Sequence, residues 1–122
     1  MIYKMVADFF EENGLTEGFN VQELRWRDSG NKNDAYMIFK PTGGGPIRED
    51  LGADYYVSVD VISSLNTTEP AALATSKIIS FIRDNPLSSS CFSHIENMSG
   101  FPGPIYTTEG RVVFSLLFNV KN

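Results

Sequence analysis

The chain has 122 residues, the usual size of one domain, and its 42% hydrophobic and 12% aromatic content is enough to bury a core without disulfides or metal and excludes a disordered polymer. Ten basic against fifteen acidic residues give a net charge of −5, with no cluster of Lys and Arg to displace counterions from phosphates; this excludes gripping nucleic acid as the main task, and the acidity serves solubility. A single cysteine, Cys91, excludes an internal disulfide and fits a reducing cytosol; Met1 to Phe10 lacks a signal-peptide pattern, and no apolar stretch approaches the ~20 residues that span a bilayer.

The first element is a helix. Ile2, Met5, Val6, Phe9 and Phe10 recur at helical spacing, opposite Lys4, Asp8, Glu11 and Glu12, and Gly14 is the natural stop. Phe19 to Trp26 reads as a strand, and the turn formers Asp28 to Asp34 read as a hairpin loop leading into a second strand, Ala35 to Lys40. That loop is no calcium site, because Gly30 and Lys32 stand where oxygen ligands belong.

Pro41 to Gly52 is the longest irregular stretch. Its glycines, Gly43, Gly44 and Gly45, are entropically costly to order, which predicts a segment mobile in the free protein. It lacks the Gly-Lys-Ser/Thr that a phosphate-cradling loop needs. Asp54 to Ser63 alternates cleanly: Tyr55, Val57, Val59 and Val61 point one way, and Tyr56, Ser58, Asp60 and Ile62 the other. One apolar and one mixed face predict a sheet with helices on one side and solvent or a partner on the other.

A second helix follows, with Thr68 as N-cap and Pro70 in the first turn; Ala71, Ala74, Ile78, Phe81 and Ile82 form its buried stripe, and Asn85-Pro86 ends it. Ser88, Ser89 and Ser90 mark a turn before a short strand, Phe92 to Asn97. Gly100 to Pro104 is a rigid connection, and Arg111 to Val120 is the last strand. Its residues Val112, Phe114, Leu116, Phe118 and Val120 share one face and Val113, Ser115, Leu117 and Asn119 the other, so the strand is central or covered by a partner. The expected fold is one α+β domain in two layers, a mostly antiparallel or mixed sheet of about five strands with two helices on one face, in the order α-β-β-β-α-β-β.

Catalytic chemistry finds no support in the sequence. His94 and Cys91 lie three positions apart but lack the third group that orients a Cys–His pair, and metal sites normally take three or four ligands. Glu11-Glu12 and Glu49-Asp50 are sequence neighbours, which seldom flank a substrate as hydrolysis requires. No strand–turn–helix nucleophile motif is present. The reading is of a non-enzymatic protein without cofactor or metal. What remains is surface: an apolar last strand, a glycine-rich loop, and a Pro/Gly connection carrying Phe101, Ile105 and Tyr106, which are favourable contact residues. Open sheet edges offer a further means of pairing with a neighbour.

With these elements in this order, the chain resembles the tail-terminator (minor tail) proteins of long-tailed bacteriophages and prophages. The residues carrying the likeness are Asp54 to Ile62, the helix end Ile78-Ile79-Ser80-Phe81-Ile82, and above all Gly100-Phe101-Pro102-Gly103-Pro104-Ile105-Tyr106-Thr107-Thr108-Glu109-Gly110-Arg111 running into Val112 to Val120. The resemblance implies a two-layer fold and a closed homo-oligomeric ring, a hexamer, assembled in the host bacterial cytoplasm and carried in the virion tail. Such a ring caps the tail tube, stops its polymerisation, offers a surface to the head–tail connector and lets DNA pass without sequence-specific binding; no membrane is involved. The protein–protein interface is expected on Arg48, Glu49 and Asp50, from the length and glycine content of their loop, and on Phe101, Ile105, Tyr106 and Arg111. Two other classes fit the same residues: another neck component (head–tail joining or tail completion), and a small monomeric protein-binding module with a pocket between sheet and helices.

Overall fold

Two helices lie against one face of a six-stranded sheet in the computed structural model, which describes residues 2–42, 54–85 and 94–121. In chain order the elements are α1 (Ile2–Glu12), β1 (Asn20–Glu23), β2 (Tyr36–Thr42), β3 (Asp54–Ile62), α2 (Glu69–Asp84), β4 (His94–Asn97), β5 (Ile105–Tyr106) and β6 (Val112–Lys121). The sheet runs β1-β2-β3-β6-β4, with β5 also paired to β6. The expected α+β class and two-layer arrangement hold. The short β5 adds a strand within the stretch read as connection.

The alternation in β3 and β6 builds the core. The two strands pair antiparallel over their whole length, from Asp54 opposite Lys121 to Ile62 opposite Val113, so their apolar sets fall on the same face. Val57, Val59, Val61, Phe114, Leu116, Phe118 and Val120 are buried there with Val6, Phe9 and Phe10 of α1 and Ala71, Ile78 and Ile82 of α2. Phe10 is the centre of the packing: its ring meets Phe39 edge-on at 5.2 Å and Phe118 at 5.7 Å. Edge-to-face pairs of this kind add about 0.5–1.5 kcal/mol each beyond the area they bury.

The helices differ in detail from expectation. Met5 is exposed, whereas Tyr3 and Ala7 are buried, because α1 lies on the sheet beside α2, which it meets where Phe9 touches Phe81 at 5.8 Å. In α2, Thr75 joins the buried stripe by returning its hydroxyl hydrogen bond to the Ala71 carbonyl at 2.8 Å, while Ala74 and Phe81 are half-buried. Thr68 precedes the helix without a side-chain cap; its carbonyl accepts from the Ala72 N–H at 3.0 Å.

The largest departure is at β1 and β2. They pair parallel, with Asn20 opposite Tyr36 and Glu23 opposite Phe39, so 28–34 is not a hairpin loop. Leu24, at φ 72°, turns the chain out of β1 early, and residues 24–35 carry it back to the start of β2. A parallel pair requires such a crossover, of about a dozen residues or more. β2 in turn extends through Pro41 and Thr42, which face Val57 and Tyr56. Proline is tolerated there because the β1 pairing has already ended and that side of β2 is an edge.

Candidate functional site

The sheet edge formed by β4 and β5 carries most of the large exposed apolar side chains among the described residues. Both strands run antiparallel to β6 along the same side, yet their registers disagree. Asn97 faces Phe118; continued unchanged, that register would set Pro102 opposite Val113, but Ile105 sits there, so the edge contains three extra residues. The excess is accommodated between Met98, whose N–H donates to the Leu117 carbonyl at 2.8 Å, and β5. The Asn97 side-chain oxygen accepts from both the Ser99 N–H and its hydroxyl, each at 3.0 Å, turning the chain outward. The chain returns through Phe101, whose ring lies edge-on to buried Phe114 at 5.7 Å.

The result is a ridge. Met98, Phe101, Ile105 and Tyr106 are 51%, 55%, 57% and 71% exposed, and the other large exposed hydrophobics among the described residues, Met5, Leu24 and Leu73, lie on other elements. Pro102 and Pro104 have no N–H, so the protruding part of this edge is poor material for strand addition. A neighbour would meet it through side chains.

Phe101, Ile105 and Tyr106 are each more than half exposed along this edge, with Ile105 and Tyr106, consecutive in β5, directed to opposite faces of the sheet. Met98 is a further exposed apolar side chain of this edge that the sequence pattern did not single out, since its place two residues before Gly100 gives it no apolar pattern to stand out from. Arg48, Glu49 and Asp50 lie outside the described residues, as do Gly43 to Gly52, Cys91 and the Ser88–Ser90 turn. Arg111 is a correction. It is only 1% exposed, and its guanidinium is taken up internally. Nη1 donates to the carbonyls of Asp34 at 2.7 Å and Ser63 at 3.0 Å, and Nη2 to that of Asn31 at 3.3 Å. It cannot present itself to a partner in this conformation.

The sheet face away from the helices has two zones. Beside Arg111, Tyr36, Ile38 and Ile62 form a small buried cluster with Trp26 and Val113 against it. Farther along, Asp60 gathers a polar network: its carboxylate accepts from Ser115 Oγ at 2.7 Å and from Lys40 Nζ at 3.0 Å. Both carboxylate oxygens of Asp60 thus accept from local donors, the arrangement of a polar, partly solvated sheet face.

Among the described residues no group of three or more His, Cys, Asp or Glu is placed to hold a metal ion. His94 is half-buried in β4 opposite Lys121, lining a cleft of about 400 Å³ with Ile79, Ile82 and Arg83 of α2. No described helix is long and apolar enough to cross a membrane.

A profile of the phage tail termination protein family matches residues 1–122. The chain belongs to that family. Membership assigns it a structural role in the phage tail, with its place in the virion tail and its dealings with other tail and head components, and the ridge is to be read in that setting. One solved structure of similar fold covers 97% of this chain and 94% of its own, at 14% identity and a TM-score of 0.54; at that identity it supports the fold alone. No curated protein matches the chain.

Proposed function

We propose that this family member ends growth of the tail tube as a closed homo-oligomeric ring, a hexamer, seated on the last ring of tail-tube protein and offering its far side to the head–tail connector. The observation that supports this reading is the apolar ridge Met98, Phe101, Ile105 and Tyr106 on a sheet edge that resists strand addition, in a member of the tail termination family. A ring needs a heterologous interface, two different surfaces on each subunit that close by rotation. The ridge supplies one of them. Aromatic side chains held on a rigid edge are the anchors that interfaces use, since they bury much area at little entropic cost.

Function is then steric and cooperative rather than catalytic. The ring stops polymerisation by occupying the end of the tube, and DNA passes through it without sequence-specific binding; an acidic chain does not hold phosphates. Assembly takes place in the host bacterial cytoplasm, before the tail joins the head. Arg48, Glu49 and Asp50 supply polar specificity toward the tube or a neighbouring subunit.

The test is negative-stain imaging of the protein mixed with tail-tube protein from the same genome. The expected outcome is rings docked at one end of tubes of limited length. Uncapped, still-growing tubes beside monomeric protein would overturn the reading. Reversing charges together at Arg48→Glu and Asp50→Lys should abolish capping; capping retained would remove that segment from the interface.

A further inference from the structure

The crossover 24–35 is attached to the molecule differently from every other described segment. It lies on the sheet face opposite the helices, and its apolar contact is through Trp26, whose ring lies tilted against that of Tyr36 at 5.8 Å. That small cluster is separate from the main core beneath the helices. From Arg27 to Asn33 the segment is exposed, and much of its hydrogen bonding is internal: the N–H groups of Gly30, Asn31 and Asn33 donate to side chains of Asp28, Ser29 and Asn31. Its two ends are pinned, by Gln22, whose amide bonds both N–H and carbonyl of Arg27 at 2.8 Å, and by the Asn20 N–H on the Ala35 carbonyl at 2.8 Å.

Between those ends the ties to the sheet are the Tyr36 hydroxyl, which accepts from the Ser29 N–H at 2.9 Å and donates to Ser29 Oγ at 2.8 Å, and Arg111. Its guanidinium bridges the Asn31 and Asp34 carbonyls of the crossover to the Ser63 carbonyl of the sheet, and lies 5.6 Å from the Trp26 ring and 5.4 Å from that of Tyr36. Asp28, the acidic group near it, stands 3.8 Å away and is more than a third exposed. Arg111 Nε and Trp26 Nε1 are buried without a hydrogen-bond partner. Displacing the crossover would let water reach both, which offsets part of the cost of breaking the tie.

We infer that the crossover 24–35 is a clasp, a unit that opens by itself while the two-layer body stays folded, and that Arg111 is the lock setting how often it opens. The separation of the two apolar clusters makes the opening local, and a segment with few buried apolar contacts belongs to the low end of the stability range within one protein. This inference is independent of the ring reading.

Trp26 is the single tryptophan, so its fluorescence reports the clasp, while far-UV circular dichroism reports helices and sheet. In Arg111→Gln the fluorescence transition in urea should precede the circular dichroism transition. The amides of Ser29 and of Leu65, which donates to the Lys32 carbonyl at 2.9 Å, should exchange faster by about tenfold or more, the size expected from losing charge-assisted hydrogen bonds, with β3 and β6 unaffected. Coincident transitions, with exchange rising equally in β3 and β6, would overturn the inference. If Arg111→Gln does not fold, the same comparison is made on Arg111→Lys and on exchange in the unsubstituted protein. There, Ser29 and Leu65 amides exchanging no faster than those of β3 and β6 would likewise reject the clasp.

Discussion

The two faces of β6 are covered by different means. On one, Val112, Phe114, Leu116, Phe118 and Val120 are buried under α1 and α2, which bring their own apolar stripes. On the other, Val113 meets the Trp26 cluster, Ser115 bonds Asp60, and Leu117 and Asn119 complete the row. Where the chain supplies its own cover, dispersion and the hydrophobic effect do the holding; where it does not, a carboxylate network keeps the face compatible with water. The β4–β5 edge is a third case, apolar side chains with no cover of their own, and it is the part of the surface most in need of a partner.

The comparison can be broken from its strongest side first. Phe10→Ala removes the ring between Phe39 and Phe118 and should cost about 3–5 kcal/mol, measured by urea unfolding, with fluorescence and circular dichroism both moving. A loss below about 1 kcal/mol would mean that the helix-covered face does not dominate stability. Asp60→Ala tests the open face: Ser115 and Lys40 lose their acceptor, and a cost of about 1–2 kcal/mol is expected, since the site is only partly buried. A cost equal to that of Phe10→Ala would erase the distinction between the faces. The smallest effect on folding belongs to the edge. Ile105→Ser or Tyr106→Ser should change stability by no more than about 0.5 kcal/mol while abolishing assembly in sedimentation or imaging. Unchanged assembly would move the interface elsewhere.

Much of the fold was legible from periodicity. Tyr55, Val57, Val59 and Val61 announce the buried face of β3, and the same period in Val112 to Val120 announces that of β6, because a strand half covered by helices must alternate. The exposed apolar residues of the β4–β5 edge were legible in part. Phe101, Ile105 and Tyr106 stand out as aromatic and apolar groups among Gly and Pro, where no helix or strand pattern can bury them all. Arg111 was misread because a charge at the mouth of a strand looks like surface; the carbonyls of Asn31, Asp34 and Ser63 that make its burial tolerable come from positions far away in sequence. The turn residues 28–34 were read as a hairpin because local chemistry marks a bend without saying which way the next strand will run.

Local pattern by itself therefore determined the type of the main elements, all but the short β5, and most of the apolar face of each. Those features depend on residues two to four positions apart, whose spacing reports directly on one strand or one turn of helix. Tertiary structure alone decided the parallel β1–β2 pair, the burial of Arg111 under the crossover, and the three-residue register break that raises Met98, Phe101, Ile105 and Tyr106 into a ridge. Each of these depends on which distant backbone groups remain free to bond once β3 and β6 have paired, and no local spacing carries that information.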